Sequence, residues 1–582
     1  MFKLTRLYSY PEAFDEIQFH SGLNIILGET KEDNHKTNGV GKSLVVDFIN
    51  FCLLKKYKDC RISLIPESVL PQDTAIILEF EFDGVPYKVI RSPKNHNNPR
   101  LQSYLADLNI EFSNLEDATE YFTTRFIKSN ASGYNPSFRT MLGPLIRDEK
   151  SEFKSIVLCH DTSKRIPADY TPHLYLLNIN AVPYIDIKRL WSETDKVSEA
   201  LSKIKSDIQA LTGKNYNASK AELNELTSQV QKIKNDIDTL ENTETNKIIS
   251  DEIAELEDRI DRAKSKQAVL RRELVKTKIA NEEQYIPNNE IEHLYNQLSE
   301  GLGSLIKRQL DEVIGFKERI DDFQRSLLSA KRDEISRQVE KIENELQELD
   351  SKYSDKVALL DQAGLLKSLR QTIAIHQSKV EDLSSLSAWF KTCTKYELEK
   401  VQLESNRNSK TLELSISLNE ANEVLDSFQE SILKIHEFIA GNRHCSFDIE
   451  INSKTREIIK YNLRIHDDGS HSNEREKVFM YDISLLLNHE TSRYHPRLLI
   501  HDNIFDVDQD TLVRSLNYLH ENKLTLDQRQ YILTINIDKF RSEDFERLKW
   551  NIPSISVAKL TKRQKFLRTN YQELSHKSKK AR

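Results

Sequence analysis

The amino-acid sequence predicts an α/β head assembled from both chain ends, with a long antiparallel α-helical coiled coil inserted between them. A glycine-containing turn at residues 38–43 stands between an apolar strand and an apolar helix. Heptad repeats fill the middle of the chain, and apolar strands ending in polar residues return after residue 441. Because an outgoing and a returning helical arm would bring the two ends back together, we expect those ends to form one domain.

The composition favours a globular part combined with long exposed helices. Of the 582 residues, 30% are charged, and there are 14 glycines and 14 prolines. The mean hydropathy is -0.59. A chain of compact domains would be less polar and richer in helix breakers. The net charge of -7 provides no global attraction for nucleic acid, so any such contact must be local.

The cysteines and the apolar runs exclude several classes of protein. No two cysteines have Cys-x-x-Cys spacing, so neither a zinc site nor a disulfide framework is indicated. No apolar run resembles a signal peptide or approaches the roughly 18 residues of a membrane span. We therefore expect a reduced protein in the cytoplasm, without a membrane partner. The cysteines are Cys52, Cys60, Cys159, Cys393 and Cys445.

Residues 38–43 have the features of a phosphate-binding loop. Its glycines allow backbone N–H groups to point inward, while the helix N-terminus and Lys42 attract phosphate. The Ser43 hydroxyl would bind Mg²⁺. Lys36 occupies the position of the motif's first glycine, and a chance turn is the alternative interpretation. The loop consists of Asn38, Gly39, Val40, Gly41, Lys42 and Ser43.

The remainder of the first 185 residues is predicted to be mixed α/β, and we assign 1–185 as the N-terminal half of the head. Short strands precede the loop, and Asp83 and Gly84 indicate a hairpin turn between two alternating strands. One or two helices, interrupted by prolines, are predicted between residues 115 and 185.

Heptads between residues 186 and 440 predict two helical arms. An outgoing arm at 186–284 and a returning arm at 321–440 would be joined by a bend at 285–320, where prolines and glycines interrupt the pattern. A bundle of separate amphipathic helices is the alternative.

Residues 441–560 are predicted to complete the head. A hairpin, a helix near Val478 and two apolar strands follow one another, and the two strands end at Asp502 and Asn536. A carboxylate at a strand end beside a phosphate loop could hold a divalent ion, although an aspartate that starts a turn is the plainer interpretation. The basic tail at 561–582 is either solvated or in contact with nucleic acid.

This order of motifs resembles the SMC-like ABC ATPases, and most closely the short-armed bacterial members of anti-phage defence systems of the Lamassu type. The layout is also related to that of the double-strand-break-repair ATPase. The resemblance implies an ABC-type ATPase head in which two heads sandwich ATP and Mg²⁺. Ser43 and Asp502 would hold the metal, and Asn503 and Asn536 fall at catalytic positions. Ser472 and Asn473 occupy the signature position that completes the partner's nucleotide site.

Three departures from the family pattern suggest slow hydrolysis. The signature lacks its glycines. Asn503 replaces the usual glutamate, for which His501, Asp506 and Asp508 are the candidate substitutes, and Asn536 replaces a histidine.

The expected function is ATP-dependent head dimerisation that couples DNA sensing to an effector in anti-phage or anti-plasmid defence. Expected partners are a second copy of the chain, double-stranded DNA, an effector such as a nuclease, and a small accessory subunit. The alternatives are an ATP-clamped scaffold with negligible hydrolysis, a DNA-repair or chromosome-maintenance ATPase, and a purely structural coiled-coil protein.

Overall fold

The computed structural model describes residues 2–29, 39–129, 134–164, 166–241, 247–283, 310–359, 366–452, 454–465, 471–505 and 507–574. These residues form two compact units. The head unit contains the described residues of 1–189 and 407–582, and the helical unit contains those of 190–406.

The strands lie in the head unit, towards the two ends of the chain. In chain order they are β1 (Phe2–Tyr10), β2 (Ile17–Gln18), β3 (Gly22–Gly28), β4 (Ala75–Phe82), β5 (Val85–Arg91), β6 (Arg100–Ser103), β7 (Leu108–Glu111), β8 (Ile146–Arg147), β9 (Cys445–Ile451), β10 (Ile459–Ile465), β11 (Leu498–Asp502), β12 (Gln530–Asn536) and β13 (Ser556–Leu560).

The longest helices occupy the middle of the chain. In chain order the helices are α1 (Lys42–Cys52), α2 (Leu115–Phe126), α3 (Phe138–Leu145), α4 (Thr171–Leu176), α5 (Val182–Thr212), α6 (Tyr216–Glu241), α7 (Lys247–Glu283), α8 (Leu310–Leu359), α9 (Leu366–Glu420), α10 (Asn422–Ala440), α11 (His471–Leu487), α12 (Gln509–Glu521), α13 (Lys523–Leu526), α14 (Ser542–Arg547) and α15 (Ile552–Ile555).

A parallel sheet joins the two chain ends in the order β13-β3-β12-β11-β8. Strand β12 pairs with β3 on one side and β11 on the other, and Asn536 lies opposite Gly28. Every residue of β3, β11 and β12 is buried, as is typical of parallel strands covered on both faces. The prediction that both ends build one α/β head is confirmed. The parallel direction places the carboxyl ends of these strands at one edge.

An antiparallel sheet covers part of the head in the order β2-β1-β4-β5-β6-β7. The predicted hairpin between β4 and β5 is confirmed, with Asp83 and Gly84 at φ values of 48° and 82°. Positive φ at both central residues matches the twist of the flanking strands. The predicted hairpin after residue 441 is also present, since Ile451 of β9 lies opposite Ile459 of β10.

Strand β8 was absent from the sequence prediction, which placed only helices between residues 115 and 185. It pairs in parallel with β11, and Arg147 lies opposite His501 at the border of the sheet. Two residues are too few to produce a recognisable alternation of apolar and polar side chains. This short strand brings residues 148 and 149 to the same edge as the end of β11.

The helical unit contains a pair of helices from the predicted outgoing and returning arms. Helices α7 and α8 are antiparallel, because Glu257 accepts a hydrogen bond from Tyr353 (Oε1 to Oη, 3.1 Å) and Glu343 accepts one from Arg271 (2.8 Å). Helix α7 therefore packs against α8 within the region assigned to the two arms. The predicted bend at 285–320 lies largely outside the described residues.

One apolar cluster contains side chains from four helices, so the alternative prediction of a bundle describes this unit better. A heptad repeat specifies which face of a helix is apolar but not which helix covers that face. The cluster consists of Ile237 from α6, Ile253, Ile260 and Ala263 from α7, Leu346, Leu349 and Tyr353 from α8, and Ile373 from α9.

Candidate functional site

The phosphate loop is described from Gly39 onward, and Asn38 lies outside the described residues. Gly39 and Gly41 have φ values of 85° and 104°, which glycine adopts without strain. Helix α1 begins at Lys42, directly after the second glycine. The loop therefore presents a helix N-terminus to the edge of the parallel sheet, an arrangement suited to an anion.

The predicted residues from the two chain ends meet at this edge. The Ser43 hydroxyl donates a hydrogen bond to Asp502 (Oγ to Oδ1, 3.2 Å). The same carboxylate oxygen accepts a hydrogen bond from Thr534 (2.7 Å), and Lys42 donates one to the Asn536 side chain. Residues separated by about 460 positions thus share one hydrogen-bonded cluster, although their roles stay predictions.

Gly28 makes room for this cluster at the end of β3. A Cβ atom at this position would lie 2.7 Å from Asn536 Oδ1 and 2.9 Å from Lys42 Nζ. Both distances are shorter than van der Waals contact, so a larger residue here would displace the lysine ammonium and the amide from their present positions. The sequence offered no signal for this role.

Burial opposes the charged form of both central groups. It raises the pKa of Asp502 to about 6, against hydrogen bonds from Thr534 and Ser43 that lower it. Burial also lowers the pKa of Lys42, although the charge of Asp502 acts in the opposite direction. A divalent ion beside Asp502 and a phosphate beside Lys42 would each stabilise the ionised form.

Asn503 is held rigidly at the end of β11. Its backbone has a φ of 62°, its N–H donates to Thr534 Oγ1 (3.0 Å), and its carbonyl accepts from Arg475 (2.9 Å). The Asn503 residue lines the cleft beside the phosphate loop. An amide here can orient a water molecule but is a poor general base.

The cleft at this edge has a volume of about 1320 Å³, larger than the roughly 300–1,000 Å³ typical of small-molecule sites. The phosphate loop from Gly39 to Ser43 and Asn536 line it. Glu149 also lines the cleft and is exposed, and its charge raises the pKa values of both Lys42 and Asp502. Sequence reasoning missed Glu149 because it missed β8.

His501 is unsuited to the role of base considered in the sequence analysis. It is completely buried, and its ring contacts Asp482 (Nε2 to Oδ2, 2.9 Å) and Tyr531 (Nδ1 to Oη, 3.1 Å). Asp508 does line the cleft, but its carboxylate caps α12 by accepting from Thr511 N–H (2.9 Å). The third candidate base, Asp506, lies outside the described residues.

A buried ion pair behind the site joins distant parts of the chain. Arg147 donates to Asp482 through Nε (2.5 Å) and Nη2 (2.9 Å). Burial alone would raise the pKa of Asp482, but the charge of Arg147 and the hydrogen bond with His501 keep it below its ordinary value. The bidentate pair fixes β8 to α11, and therefore fixes the chain leading into Glu149.

Ser472 and Asn473 lie in the first turn of α11, and the Ser472 side chain is outside the described residues. Neither residue is among the described residues that line the cleft of its own chain. The signature role, which requires a second copy of the chain, stays a prediction.

The donor set fits Mg²⁺, because the Ser43 hydroxyl and the Asp502 carboxylate are hard oxygen ligands to which phosphate and water oxygens can be added. Within the described ranges, no three His, Cys, Asp or Glu side chains are grouped so that they could hold a metal by themselves. No described helix has the length and apolar character needed to cross a bilayer.

Comparisons with known proteins identify several similar chains. Residues 429–571 match a family described as an uncharacterised protein conserved in bacteria (DUF2326). The uncharacterized protein YydD of Bacillus subtilis (strain 168) is 23% identical over 580 residues, covering 92% of this chain and 93% of YydD.

Two solved structures of Smc head domains are also similar. A Pyrococcus yayanosii head with a coiled coil and joint has a TM-score of 0.34 and 12% identity, covering 94% of each chain. A Pyrococcus furiosus head with an extended coiled coil, bound to the C-terminal domain of ScpA, has a TM-score of 0.32 and 10% identity, covering 94% of this chain and 92% of that one. At these scores, the fold assignment depends on the strand order and register of this chain alone.

Proposed function

We propose that this protein is an SMC-like ATPase whose head binds MgATP and dimerises on it. One observation carries the proposal: Lys42 and Ser43 contact Asn536 and Asp502 at the carboxyl edge of a parallel sheet. Ligands of open α/β sheets bind at the carboxyl ends of the strands. A triphosphate would neutralise Lys42, and Mg²⁺ held by Ser43 and Asp502 would stabilise charge on the phosphates.

Nucleotide binding is tested with Lys42→Ala and Asp502→Ala, measured by calorimetry with MgATP. We expect Lys42→Ala to abolish measurable binding, because the ammonium is the cation closest to the loop. Asp502→Ala should lower the affinity for MgATP more than it lowers the affinity for metal-free ATP, measured with EDTA, because the carboxylate acts through the metal. Equal ATP affinity in Lys42→Ala and the wild type would overturn the loop assignment.

An ATP-clamped scaffold with negligible hydrolysis is a second candidate. The amide of Asn503 at the position next to Asp502 favours it, because an amide is a poor acceptor for the proton of an attacking water. Steady-state phosphate release separates the two candidates. Turnover well above background that disappears in Asp502→Ala would eliminate the scaffold, while ATP-dependent dimers without turnover would support it.

The proposal extends to DNA sensing, an effector subunit and a role in defence, with DNA repair or chromosome maintenance as the alternative. The family resemblance and the basic residues after 561 motivate the DNA contact. A gel shift on linear duplex DNA across a salt series tests it, since phosphate contacts weaken steeply with salt. Binding that does not change between low and high salt would contradict a backbone contact.

A further inference from the structure

Residues 561–574, which we call the C-terminal strap, are anchored on the head unit by two buried side chains, while the basic side chains of Lys562, Arg563 and Arg568 are exposed. Phe566 and Leu567 are 3% and 4% exposed. The Phe566 N–H donates to the carbonyl of Val40 in the phosphate loop (3.2 Å). The described part of the basic tail is therefore a structural neighbour of the loop.

Phe566 anchors the strap through an aromatic cluster. Its ring lies 4.5 Å from the ring of Phe14 and 5.2 Å from the ring of Phe48, measured between centroids. Phe48 belongs to α1, the helix that the phosphate loop leads into. A Cβ atom at Gly41 would lie 2.7 Å from the Phe566 Cβ, so the strap passes directly over the second loop glycine.

Polar contacts fix the strap after this anchor. Arg568 donates to Asp15 (Nε to Oδ1, 3.0 Å). Further along, Glu573 accepts two hydrogen bonds from Arg61 (2.9 and 2.6 Å), and the Leu574 N–H donates to the Leu64 carbonyl (2.9 Å). The segment between Arg568 and Glu573 is therefore fixed at both ends along the wall of the cleft.

Two aromatic residues are among the described residues that line the cleft, and both belong to the strap: Phe566 and Tyr571. The Phe566 ring is enclosed by Phe14 and Phe48, so it has little surface to offer a ligand. Tyr571 is half-buried, and Arg61 and Thr569 line the same cleft. Its ring can therefore receive a flat, uncharged group.

We propose that the strap is the base-binding wall of the nucleotide site, with Tyr571 stacking on the purine base of the nucleotide whose phosphates the loop holds. This inference rests on the proposed nucleotide function. The loop supplies polar and charged groups for the triphosphate, while the base needs an aromatic face, and stacking on an aromatic side chain is a strong contact for a nucleobase.

The test compares ATP with inorganic tripolyphosphate, which has the phosphates without the base. Affinities are measured by calorimetry of the full chain with Mg²⁺. Tyr571→Ala should lower the affinity for ATP about tenfold, which is the order of magnitude expected for a lost stacking contact. Tripolyphosphate affinity should stay unchanged. Tyr571→Phe should retain ATP affinity because it keeps the ring. Tyr104→Ala, at a tyrosine that is 91% exposed in the turn between β6 and β7, is the matched control.

Three outcomes overturn the inference. These are unchanged ATP affinity in Tyr571→Ala, parallel loss of ATP and tripolyphosphate, or failure of Tyr571→Phe to restore ATP binding. If Tyr571→Ala does not fold, Tyr571→Leu provides the same comparison with a side chain closer in volume. Failure of the proposed function is distinguishable, because the wild type would then bind neither ligand in a Lys42-dependent way.

Discussion

The Asp502 carboxylate illustrates how the residues of the site are held ready for a cation. Its pKa of about 6 means that, from about pH 4 to 6, the folded protein binds a proton that the unfolded chain releases. Its contribution to stability is therefore fully present below about pH 4 and is lost as the pH rises through 6. Without ligand, the ionised buried carboxylate destabilises the fold.

We predict that Asp502→Asn raises the free energy of unfolding above pH 6, in the absence of Mg²⁺ and nucleotide, by about 3 kcal/mol. The gain should vanish below about pH 4, where the wild-type carboxyl is neutral. Urea denaturation across this pH range measures it. Asp73→Asn, at a carboxylate that is 78% exposed, is the control and should change stability little at any pH. A destabilised Asp502→Asn at pH 7 would contradict the argument.

Glu149 is an exposed carboxylate that lines the cleft and raises the pKa values of both Lys42 and Asp502, so it is a candidate to activate water in the absence of a glutamate at Asn503. We predict that Glu149→Gln lowers ATP turnover about a hundredfold, as expected for loss of a general base, while ATP affinity changes little. Phosphate release and calorimetry measure the two quantities. Glu120→Gln, at an exposed glutamate of α2, is the control. Full turnover in Glu149→Gln would show that this carboxylate is dispensable.

The resemblance to the SMC-like ABC ATPases predicted the convergence of Lys42, Ser43, Asp502 and Asn536, and the parallel sheet places the last residues of its strands at one edge. Residue patterns did not predict Glu149, since a strand of two residues leaves no pattern. His501 looked available in sequence because it precedes Asp502. Alternation along β11 instead turns its ring towards Asp482, away from the cleft.

At the scale of elements, the strap packs on the phosphate loop, and the two loop glycines differ in how closely the strap approaches them. Both have positive φ, but a Cβ at Gly39 would meet no atom within 4 Å, whereas one at Gly41 would collide with Phe566. A substitution at either glycine would therefore cause backbone strain, but only a substitution at Gly41 would also collide with Phe566.

We predict that Gly39→Ala costs about 1 kcal/mol of stability from backbone strain, whereas Gly41→Ala costs more and also displaces the strap. ATP affinity should fall more in Gly41→Ala than in Gly39→Ala. Thermal denaturation and calorimetry of both variants measure this, with each variant serving as the control for the other. Equal effects would mean that contact with Phe566 does not constrain the loop.

The elements also show where pattern reasoning ends. Periodicity identified the long helices correctly, because apolar positions recur on one face of each. It left two paired arms or a bundle open as the arrangement of those helices, and the faces of α6, α7, α8 and α9 meet in one cluster, as the bundle expects. In the strap, the basic composition concealed the adjacent apolar pair Phe566 and Leu567, which was the available signal for packing.

At the scale of the whole molecule, the two ends of the chain depend on each other. Strand β3 lies between β12 and β13, and β12 lies between β3 and β11. The buried Arg147–Asp482 pair and the hydrogen bonds of Gln530 with Leu4 (2.8 Å) add contacts between the same halves.

We therefore predict that a chain divided between residues 284 and 309, expressed as two fragments in one cell, yields fragments that purify together. The interleaved sheet supplies their interface, and affinity purification of one tagged fragment measures the association. Asp482→Ala should weaken the association, because it leaves Arg147 buried without its partner. Glu490→Ala, at a glutamate outside this interface, is the control. Soluble fragments that separate would contradict the interdependence.

The interleaved sheet also has a consequence for biosynthesis. The apolar strand that leads into the phosphate loop leaves the ribosome early, yet the two strands that flank it emerge roughly 500 residues later. Its backbone therefore lacks both of its strand partners while the residues in between are synthesised. This head consequently matures after its last strand has been synthesised, and chaperones that shield exposed apolar segments have their longest opportunity to act on that first strand.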